Sequence, residues 1–262
     1  MILVSDNLQV TNPVVSKAMA ALDPQPVCDL VRQCLERGAQ AIDINSGPLG
    51  KGSSDKMAFL VETVQEMTDA PLLLDTANPL AMEAGLTVSK KPVIINGFSL
   101  EPVKMARILP LAKKHDADII GYLLNADSSV PLNADERLNI ASRIIQAIEK
   151  EGISPDRLII DPVLVPLTWQ QGPYQAMEVL TTLKMLPELF GFPVRSIVGL
   201  SNLTSGANSL KKRMFMEGVY LPMLSAAHLT LVLMNMFHPE TVAIAQACKM
   251  LKQNSIFSWE SV

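Results

Sequence analysis

The sequence predicts a single (β/α)8 barrel over residues 1–262, and three observations support this fold. The 262 residues, 48% of them hydrophobic, are enough for one large core and are typical of a barrel of this kind. Apolar runs alternate with helical patterns at the regular spacing of βαβ units. No linker rich in Gly, Ser or Pro divides the chain into domains. An open, doubly wound sheet is the alternative arrangement that the same alternation allows.

Eight short apolar runs are the predicted strands, and each has the composition of a parallel strand that is covered on both faces. They are Ile2–Val4, Ala41–Ile44, Leu72–Leu74, Val93–Ile95, Ile119–Leu123, Leu158–Ile160, Ile197–Leu200 and Leu229–Leu233. The predicted helices are Asn12–Leu22, Val27–Arg37, the segment that follows Ser54 as far as Met67, Pro79–Val88, Glu101–Lys114, Asn133–Glu151, Tyr174–Leu186, Lys211–Glu217 and Glu240–Lys252. Gly38 directly after the second helix is a typical helix stop.

The composition argues against nucleic acid and membrane as partners. The net charge is −4 and no run of Lys or Arg is present, so a nucleic-acid partner is not expected. The uncharged segment Val219–Phe237 is interrupted by Pro222, His228 and Asn235. It is predicted to be the buried end of a helix that leads into the last strand, because a spanning helix needs about 20 predominantly apolar residues. The residues that begin at Met1 indicate a first strand rather than a signal peptide.

The three cysteines indicate a reducing compartment. Cys28, Cys34 and Cys248 are an odd number without a C-x-x-C spacing. Cys28 and Cys34 lie in one amphipathic helical pattern, so buried thiols are expected. The prediction that follows is a cytoplasmic protein without disulfide bonds.

Polar side chains follow the predicted strands, where each apolar run ends. Leu72–Leu74 runs directly into Asp75, and the same design recurs at other strand ends. In a barrel these ends lie on one face, where barrel enzymes carry their sites. The predicted site is Asp43, Asn45, Asp75, Asn96, Asp161 and Asn202, with Asp6, Asn7 and Asn125 as weaker candidates. Helix capping and turn formation are the alternative roles for any one of these residues taken alone.

Carboxylates and amides together suit a flat heterocycle with an amide edge and an amino group, such as a pterin or a purine. Asp43, Asp75 and Asp161 would equally suit a hard cation. The three histidines, His115, His228 and His238, form no ligand motif, which argues against zinc and against a corrinoid held on a histidine. The loop Asn45–Ser54 contains Gly47, Gly50 and Gly52 but no Walker motif, so a mobile rim loop is preferred over a phosphate site.

Five motifs at the strand ends extend through most of the chain. They read Gly38-Ala-x-Ala-Ile-Asp43-Ile-Asn45-x-Gly47-Pro48, Leu74-Asp75-Thr-x-Asn78, Ile95-Asn96, Ile160-Asp161-Pro162 and Gly199-Leu-Ser-Asn202-Leu-Thr-Ser205. In these motifs the chain resembles the pterin-binding methyltransferases, which transfer a methyl group between tetrahydrofolate and a corrinoid protein. Dihydropteroate synthase and the folate domain of cobalamin-dependent methionine synthase belong to the same wider group.

The resemblance implies a role for each matching residue. Asp75, Asn96 and Asp161 would hold the pterin ring, and Asn202 would contact the methyl-bearing nitrogen. Asp43, Asn45 and Ser205 would line the same pocket, with Asn202 and Asp75 as the catalytic residues. The resemblance further implies 5-methyltetrahydrofolate as substrate, a separate corrinoid protein as partner, no metal of the enzyme's own and a homodimer.

In two regions this chain differs from the families that it resembles. Dihydropteroate synthases have basic residues after the sixth and seventh strands, whereas this chain reads Asp161-Pro-Val-Leu-Val-Pro166 and Leu200-Ser-Asn202-Leu-Thr. No cation is therefore expected for a pyrophosphate leaving group. The family's first strand usually ends in Gly-Glu-x-Ile-Asn, and here it reads Ser5-Asp6-Asn7-Leu8-Gln9.

Overall fold

Eight parallel strands form a closed barrel in the computed structural model, which describes residues 1–47 and 52–252. The strands lie around the barrel in chain order, and the first pairs with the last. They are β1 (Ile2–Gln9), β2 (Ala41–Asn45), β3 (Leu72–Asp75), β4 (Val93–Phe98), β5 (Asp118–Tyr122), β6 (Leu158–Asp161), β7 (Arg195–Gly199) and β8 (Leu231–Met234). The helices of the described residues are α1 (Pro13–Ala21), α2 (Pro24–Glu36), α3 (Ser53–Met67), α4 (Pro79–Val88), α5 (Pro102–Lys114), α6 (Ala134–Lys150), α7 (Gly172–Phe190), α8 (Leu210–Ala226) and α9 (Pro239–Lys252). The predicted (β/α)8 barrel is confirmed.

Alternate residues of each strand face opposite sides, and both sides are apolar. The outward residues, such as Leu72 and Leu74, pack against the helices in the larger of the two cores. The inward residues fill the barrel itself with one apolar cluster, to which each of the eight strands contributes a side chain: Val4, Ala41, Leu73, Ile94, Ile120, Ile159, Ile197 and Leu231. This double burial explains why the strands read as continuous apolar runs rather than as alternating patterns.

Short polar side chains begin several helices, as the sequence indicated. Asn12, Asp23, Asn78 and Asn133 each accept hydrogen bonds from backbone N–H groups in the first turn of α1, α2, α4 and α6. Such a cap stabilises a helix by about 1 kcal/mol. The capping role in the segment after β3 therefore belongs to Asn78, and Asp75 is left for another function.

β1 and α8 extend furthest beyond their predicted ends. β1 continues to Gln9 because a bulge after Ser5 brings Leu8 and Gln9 back into register with β2. α8 runs to Ala226, past the expected end at Glu217, because its second half buries Tyr220, Leu221 and Leu224. Since β8 follows, the prediction of a buried helix end that leads into the last strand is confirmed for Val219–Phe237.

No helix of the described residues is long and apolar enough to cross a membrane. Cys28, Cys34 and Cys248 are all free thiols. Cys34 is buried as predicted, and Cys248 is buried as well, but Cys28 is only half-buried, so the prediction for it was wrong. Part of the glycine loop, including Gly50, and the last ten residues of the predicted domain (253–262) lie outside the described residues.

Candidate functional site

Polar side chains follow the apolar ones inside the barrel. Side chains two positions further along a strand point to the same face. The second inward residues of the strands, together called the polar layer, are therefore Asp6, Asp43, Asp75, Asn96, Tyr122, Asp161, Gly199 and Leu233. With Gln9, Asn45, Ser201 and Asn202, these residues line a cavity of about 290 Å³. The layer lies toward the C-terminal ends of the strands, which is the face on which barrel enzymes bind substrates.

Asp75 is held in place by its neighbour on β2. Asn45 Nδ2 donates a 2.6 Å hydrogen bond to Asp75 Oδ2, and Asn45 Oδ1 accepts from the backbone N–H of Gly47 at 3.1 Å. Both ends of the Asn45 amide are thus engaged within the protein. Asn45 lines the cavity, and its contacts orient the Asp75 carboxylate with Oδ1 available to a ligand.

Asn96 is oriented in the same way by Tyr122. The Tyr122 hydroxyl donates a short hydrogen bond to Asn96 Oδ1. Because the oxygen of the Asn96 amide is occupied, the two N–H donors of this amide remain for an acceptor on a bound ligand. Tyr122 was not among the predicted site residues, although it stands two positions after the inward-facing Ile120.

Asp161 ends β6, and one of its oxygens is used by its own loop. The backbone N–H of Val163 donates to Asp161 Oδ1 at 2.8 Å, which is the turn-forming role that the sequence left open. The Asp161 side chain also lines the cavity, which leaves its other oxygen, Oδ2, for a ligand. Asp161 is therefore both a turn residue and a cavity residue.

Asn202 lies at the rim, on the 3-10 turn Leu200–Thr204 that follows β7. Its exposed side chain lines the cavity and has no hydrogen-bond partner among the described residues. The amide packs over Gly199, where a Cβ atom would come within 3.0 Å of Asn202 Nδ2. Glycine at this position leaves the space that the Asn202 amide occupies.

Burial disfavours the ionised form of the carboxyl groups in the cavity. It raises the pKa of Asp75 and of Asp6 to about 6 and that of Asp161 to about 7. The pKa of Asp43 is raised well above its usual value, first by burial and then by the charges of Asp75 and Asp6. Asp6 Oδ1 and Asp43 Oδ1 are buried without a hydrogen-bond partner among the described residues. A ligand that brings several N–H donors would satisfy these acceptors.

A second polar cluster lies behind the rim on α8. Glu217 is 3% exposed, accepts a hydrogen bond from Thr204 Oγ1 and lies 3.7 Å from His238 Nδ1. Its charge raises the pKa of Asp6, after burial, whereas Arg213 lowers it. Thr204 belongs to the same 3-10 turn as Asn202, so the cluster supports the part of the rim that carries this amide.

Three candidates lie outside the cavity lining. Asn7 is buried and bonds the side chain of Asn235 at 2.8 Å and the backbone N–H of Met236 at 2.9 Å, so it joins β1 to the end of β8. Asn125 bonds Ser129 Oγ at 3.0 Å in a surface turn. Ser205 is exposed and points back to the carbonyl of Ser201 at 3.4 Å, and it is Ser201 that lines the cavity.

The carboxylates could also be considered as metal ligands. Within residues 1–47 and 52–252, no group of three or more His, Cys, Asp or Glu has an arrangement that could hold a metal ion. The cavity instead combines carboxyl groups from β1, β2, β3 and β6 with the amides of Asn96 and Asn202. This combination matches a planar ligand that carries both donors and acceptors.

The sequence profile of one protein family, described as "Pterin binding enzyme", matches residues 7–235. The chain belongs to the pterin-binding enzymes. The match begins near the end of β1, just after Asp6, and ends just after β8, so it includes β2 to β8 in full. The predicted family resemblance is confirmed at this level.

Curated relatives of this pterin-binding enzyme include a methyltransferase and a methionine synthase. It is 25% identical over 219 residues to a methylcorrinoid:tetrahydrofolate methyltransferase of Eubacterium limosum, a match that covers 82% of this chain and 80% of the relative. It is 22% identical over 213 residues to the methionine synthase of Mycobacterium tuberculosis, and this match covers 78% of the chain but only 18% of that longer protein.

Solved structures give the same fold. A Yersinia pestis DHPS bound to a pterine-sulfa conjugate superimposes with a TM-score of 0.70 at 16% identity, over 96% of this chain and 93% of that chain. A dihydropteroate synthetase with a product gives a TM-score of 0.66 at 14% identity, over 96% and 94%. At these identities the likeness establishes the fold of this pterin-binding enzyme and does not identify the reaction that it catalyses.

Proposed function

We propose that this pterin-binding enzyme transfers a methyl group between 5-methyltetrahydrofolate and the cobalt of a separate corrinoid protein. The observation that carries the proposal is the inward layer of carboxylates and amides with Asn202 at its rim. The name of the Eubacterium limosum relative, which the chain covers over four-fifths of its length, supports the choice of reaction.

In this proposal the pterin ring lies on the polar layer, with Asp75, Asn96 and Asp161 as its direct partners. A pterin presents N–H donors along its amide and amino edge, and the free oxygens of Asp75 and Asp161 accept from them. Asn96 donates to a ring nitrogen or carbonyl because Tyr122 already occupies its own oxygen. Asp43 lies below Asp75 and lines the same cavity, and its buried Oδ1 has no hydrogen-bond partner among the described residues.

Asn202 acts at the nitrogen that exchanges the methyl group. When the methyl group leaves N5 for cobalt(I), the electron pair of the broken bond remains on N5, which then takes up a proton. An N–H donor from Asn202 strengthens as this charge develops and so favours the transition state over the bound substrate. In the reverse direction N5 attacks the methyl group and releases its proton, and the same bond orients the nitrogen.

The corrinoid protein is the second substrate in this scheme, and it approaches from the open mouth of the barrel. Asn202 is exposed there, as is Ser205 three residues further along. The enzyme's residues bind and orient the folate, and the partner supplies the cobalt that accepts or donates the methyl group. No metal bound by this chain itself is part of the proposal.

A dihydropteroate synthase reaction is the second candidate, because solved structures of that enzyme share the fold. That reaction releases pyrophosphate, whose charge needs cations near the pterin. Neither Lys nor Arg is among the described residues that line the cavity. We therefore expect no condensation of a pterin pyrophosphate with p-aminobenzoate.

The proposal includes a cytoplasmic homodimer. The free thiols are consistent with a reducing compartment. The apolar face of α9 is directed inward through Val242, Ala245 and Cys248 and does not offer a dimer surface. Exposed apolar side chains on α7, including Tyr174, Met177 and Leu189, are a better candidate. Light scattering of the purified chain measures the oligomeric state, and a monomer would remove the dimer from the proposal.

The decisive experiment has two stages. The protein is first titrated with 5-methyltetrahydrofolate by calorimetry, and it is then mixed with a cobalt(I) corrinoid protein while the corrinoid absorbance is followed. We expect saturable binding, then conversion of cobalt(I) to methylcobalt. Absence of binding to any reduced pterin would refute the proposal, and binding without transfer would reduce the chain to a pterin-binding module.

A further inference from the structure

Arg137 is a fully buried guanidinium close to the site, and no step described so far uses it. It lies on α6 with 0% of its surface exposed. Its Nε donates to the backbone carbonyl of Pro162 at 3.0 Å, and its Nη2 donates to Gln175 Oε1 at 3.4 Å. The side chain thus joins α6 to the residue that directly follows Asp161 and to α7.

The burial of Arg137 is energetically costly, which calls for a compensating role. Among the described residues no carboxylate oxygen lies within 4.0 Å of its guanidinium nitrogens. Burial lowers the pKa of Arg137, and the charge of Glu178 opposes this effect. A buried cation without an ion pair is retained only where its hydrogen bonds matter. The Pro162 carbonyl is the closest of these partners.

One peptide group links Arg137 to Asp161. The carbonyl of Pro162 and the N–H of Val163 are the two ends of a single planar unit. Arg137 holds the carbonyl end, and the N–H end donates to Asp161 Oδ1 at 2.8 Å. Fixing one end of the peptide plane therefore fixes the direction from which Asp161 receives its hydrogen bond.

The backbone at this peptide is strained, so it needs such a constraint. Val163 has a φ of 62°, in the left-handed region that β-branched residues rarely adopt. Strain of this kind persists only when surrounding contacts over-determine the conformation. The two hydrogen bonds on the Pro162–Val163 peptide provide those contacts.

We propose that Arg137 is a positioning residue for Asp161, acting through the Pro162–Val163 peptide. Its effect on ligand binding rests on the proposed function, in which Asp161 accepts a hydrogen bond from the pterin. The competing explanation is that Arg137 only holds α6 against α7 through Gln175. That explanation predicts a loss of stability spread over the helices, with no selective change at Val163 or Asp161.

The first test needs no ligand. Amide hydrogen exchange and the ¹³C titration of the Asp161 carboxyl are measured by NMR in the full chain and in Arg137→Met. We expect the Val163 amide to exchange at least about 10-fold faster, and the Asp161 pKa to rise above about 7 because the Val163 hydrogen bond lowers it. Unchanged exchange at Val163 and an unchanged Asp161 titration would overturn the proposal.

A matched control separates positioning from general destabilisation. Arg157 also donates to backbone carbonyls, those of Ala112 and Ala117, but it does so at the opposite end of the barrel. Arg157→Met should lower stability and leave Val163 exchange unaltered.

If Arg137→Met does not fold, the exchange of the Val163 amide is measured in Arg137→Lys instead, in which one ammonium group replaces the guanidinium fork. We expect Arg137→Lys to increase exchange selectively at Val163 by a smaller factor, and no selective increase would overturn the proposal.

The second test measures affinity for 5-methyltetrahydrofolate. Arg137→Met should weaken binding roughly 10-fold, Arg137→Lys less, and Arg157→Met not at all. Equal affinities in the wild type and Arg137→Met would contradict the effect on ligand binding. If the wild type binds no pterin, the proposed function is wrong, and the exchange and titration at Val163 and Asp161 still decide whether Arg137 positions the loop.

Discussion

Replacing Asp161 by Asn should stabilise the ligand-free protein and impair its binding of pterin. Burial raises the pKa of Asp161 from 3.8 to about 7. Between pH 3.8 and about 7 this carboxyl is therefore protonated in the folded protein and ionised in the unfolded chain. Asn has almost the same shape, keeps the oxygen that accepts from the Val163 N–H, and carries no charge at any pH.

The sign and size of the effect follow from proton linkage. Wild-type stability falls relative to Asp161→Asn as pH rises from 3.8 toward about 7, and it stays low above that value. Each pH unit in this interval corresponds to about 1.4 kcal/mol, so the full difference is about 4 kcal/mol. Water entering the open cavity screens the charge, and we expect roughly half of this difference to be observed at pH 8.

The assay is urea unfolding of both proteins from pH 4 to pH 8. The free energies of unfolding should coincide near pH 4 and diverge as pH rises, with Asp161→Asn the more stable. Asp127→Asn is a control of opposite sign, because hydrogen bonds from Ser129 lower the pKa of Asp127. A difference for Asp161→Asn that is independent of pH, or that favours the wild type at pH 8, would refute the reasoning.

Three further substitutions test the division of roles in the cavity. Asn202→Ala should lower kcat for methyl transfer about 100-fold with little change in the Kd for 5-methyltetrahydrofolate, and equal losses in both would contradict its catalytic role. Gly199→Ala should push the Asn202 amide away and lower kcat in the same way; an unchanged rate would show that the amide does not need this space. Asn45→Leu should weaken folate binding about 10-fold by releasing Asp75, as measured by calorimetry against Asn125→Ala, which should bind normally.

The strand-end residues were predictable because they follow from a local pattern. An apolar run that ends in a carboxylate identifies both the strand and its polar end, as at Asp75 and Asp161. Asn96 follows from the same rule. The period of two along each strand would also have found Tyr122, which follows the inward-facing Ile120, but its aromatic ring read as part of an apolar strand.

Other parts of the site depend on contacts that no local pattern contains. The amide of Asn45 is used to orient Asp75, a residue 30 positions away in sequence. The 3-10 turn after β7 directs Ser201 rather than Ser205 to the cavity, and no local residue preference determines that turn. Arg137 reads as an ordinary polar residue near the start of a helix, and only the packing of α6 against β6 and α7 makes it buried.

In the proposed function the polar layer binds a methylated pterin whose methyl-bearing nitrogen lies at Asn202. A single-turnover experiment measures this transfer step by itself. Enzyme saturated with 5-[¹³C-methyl]tetrahydrofolate is mixed with an excess of a corrinoid protein reduced to cobalt(I), and the ¹³C label is followed by NMR. The label should move from N5 to cobalt with wild-type enzyme and at least about 100-fold more slowly with Asn202→Ala. Label that remains on N5 in the wild type, or that moves equally fast in both proteins, would contradict the proposed function.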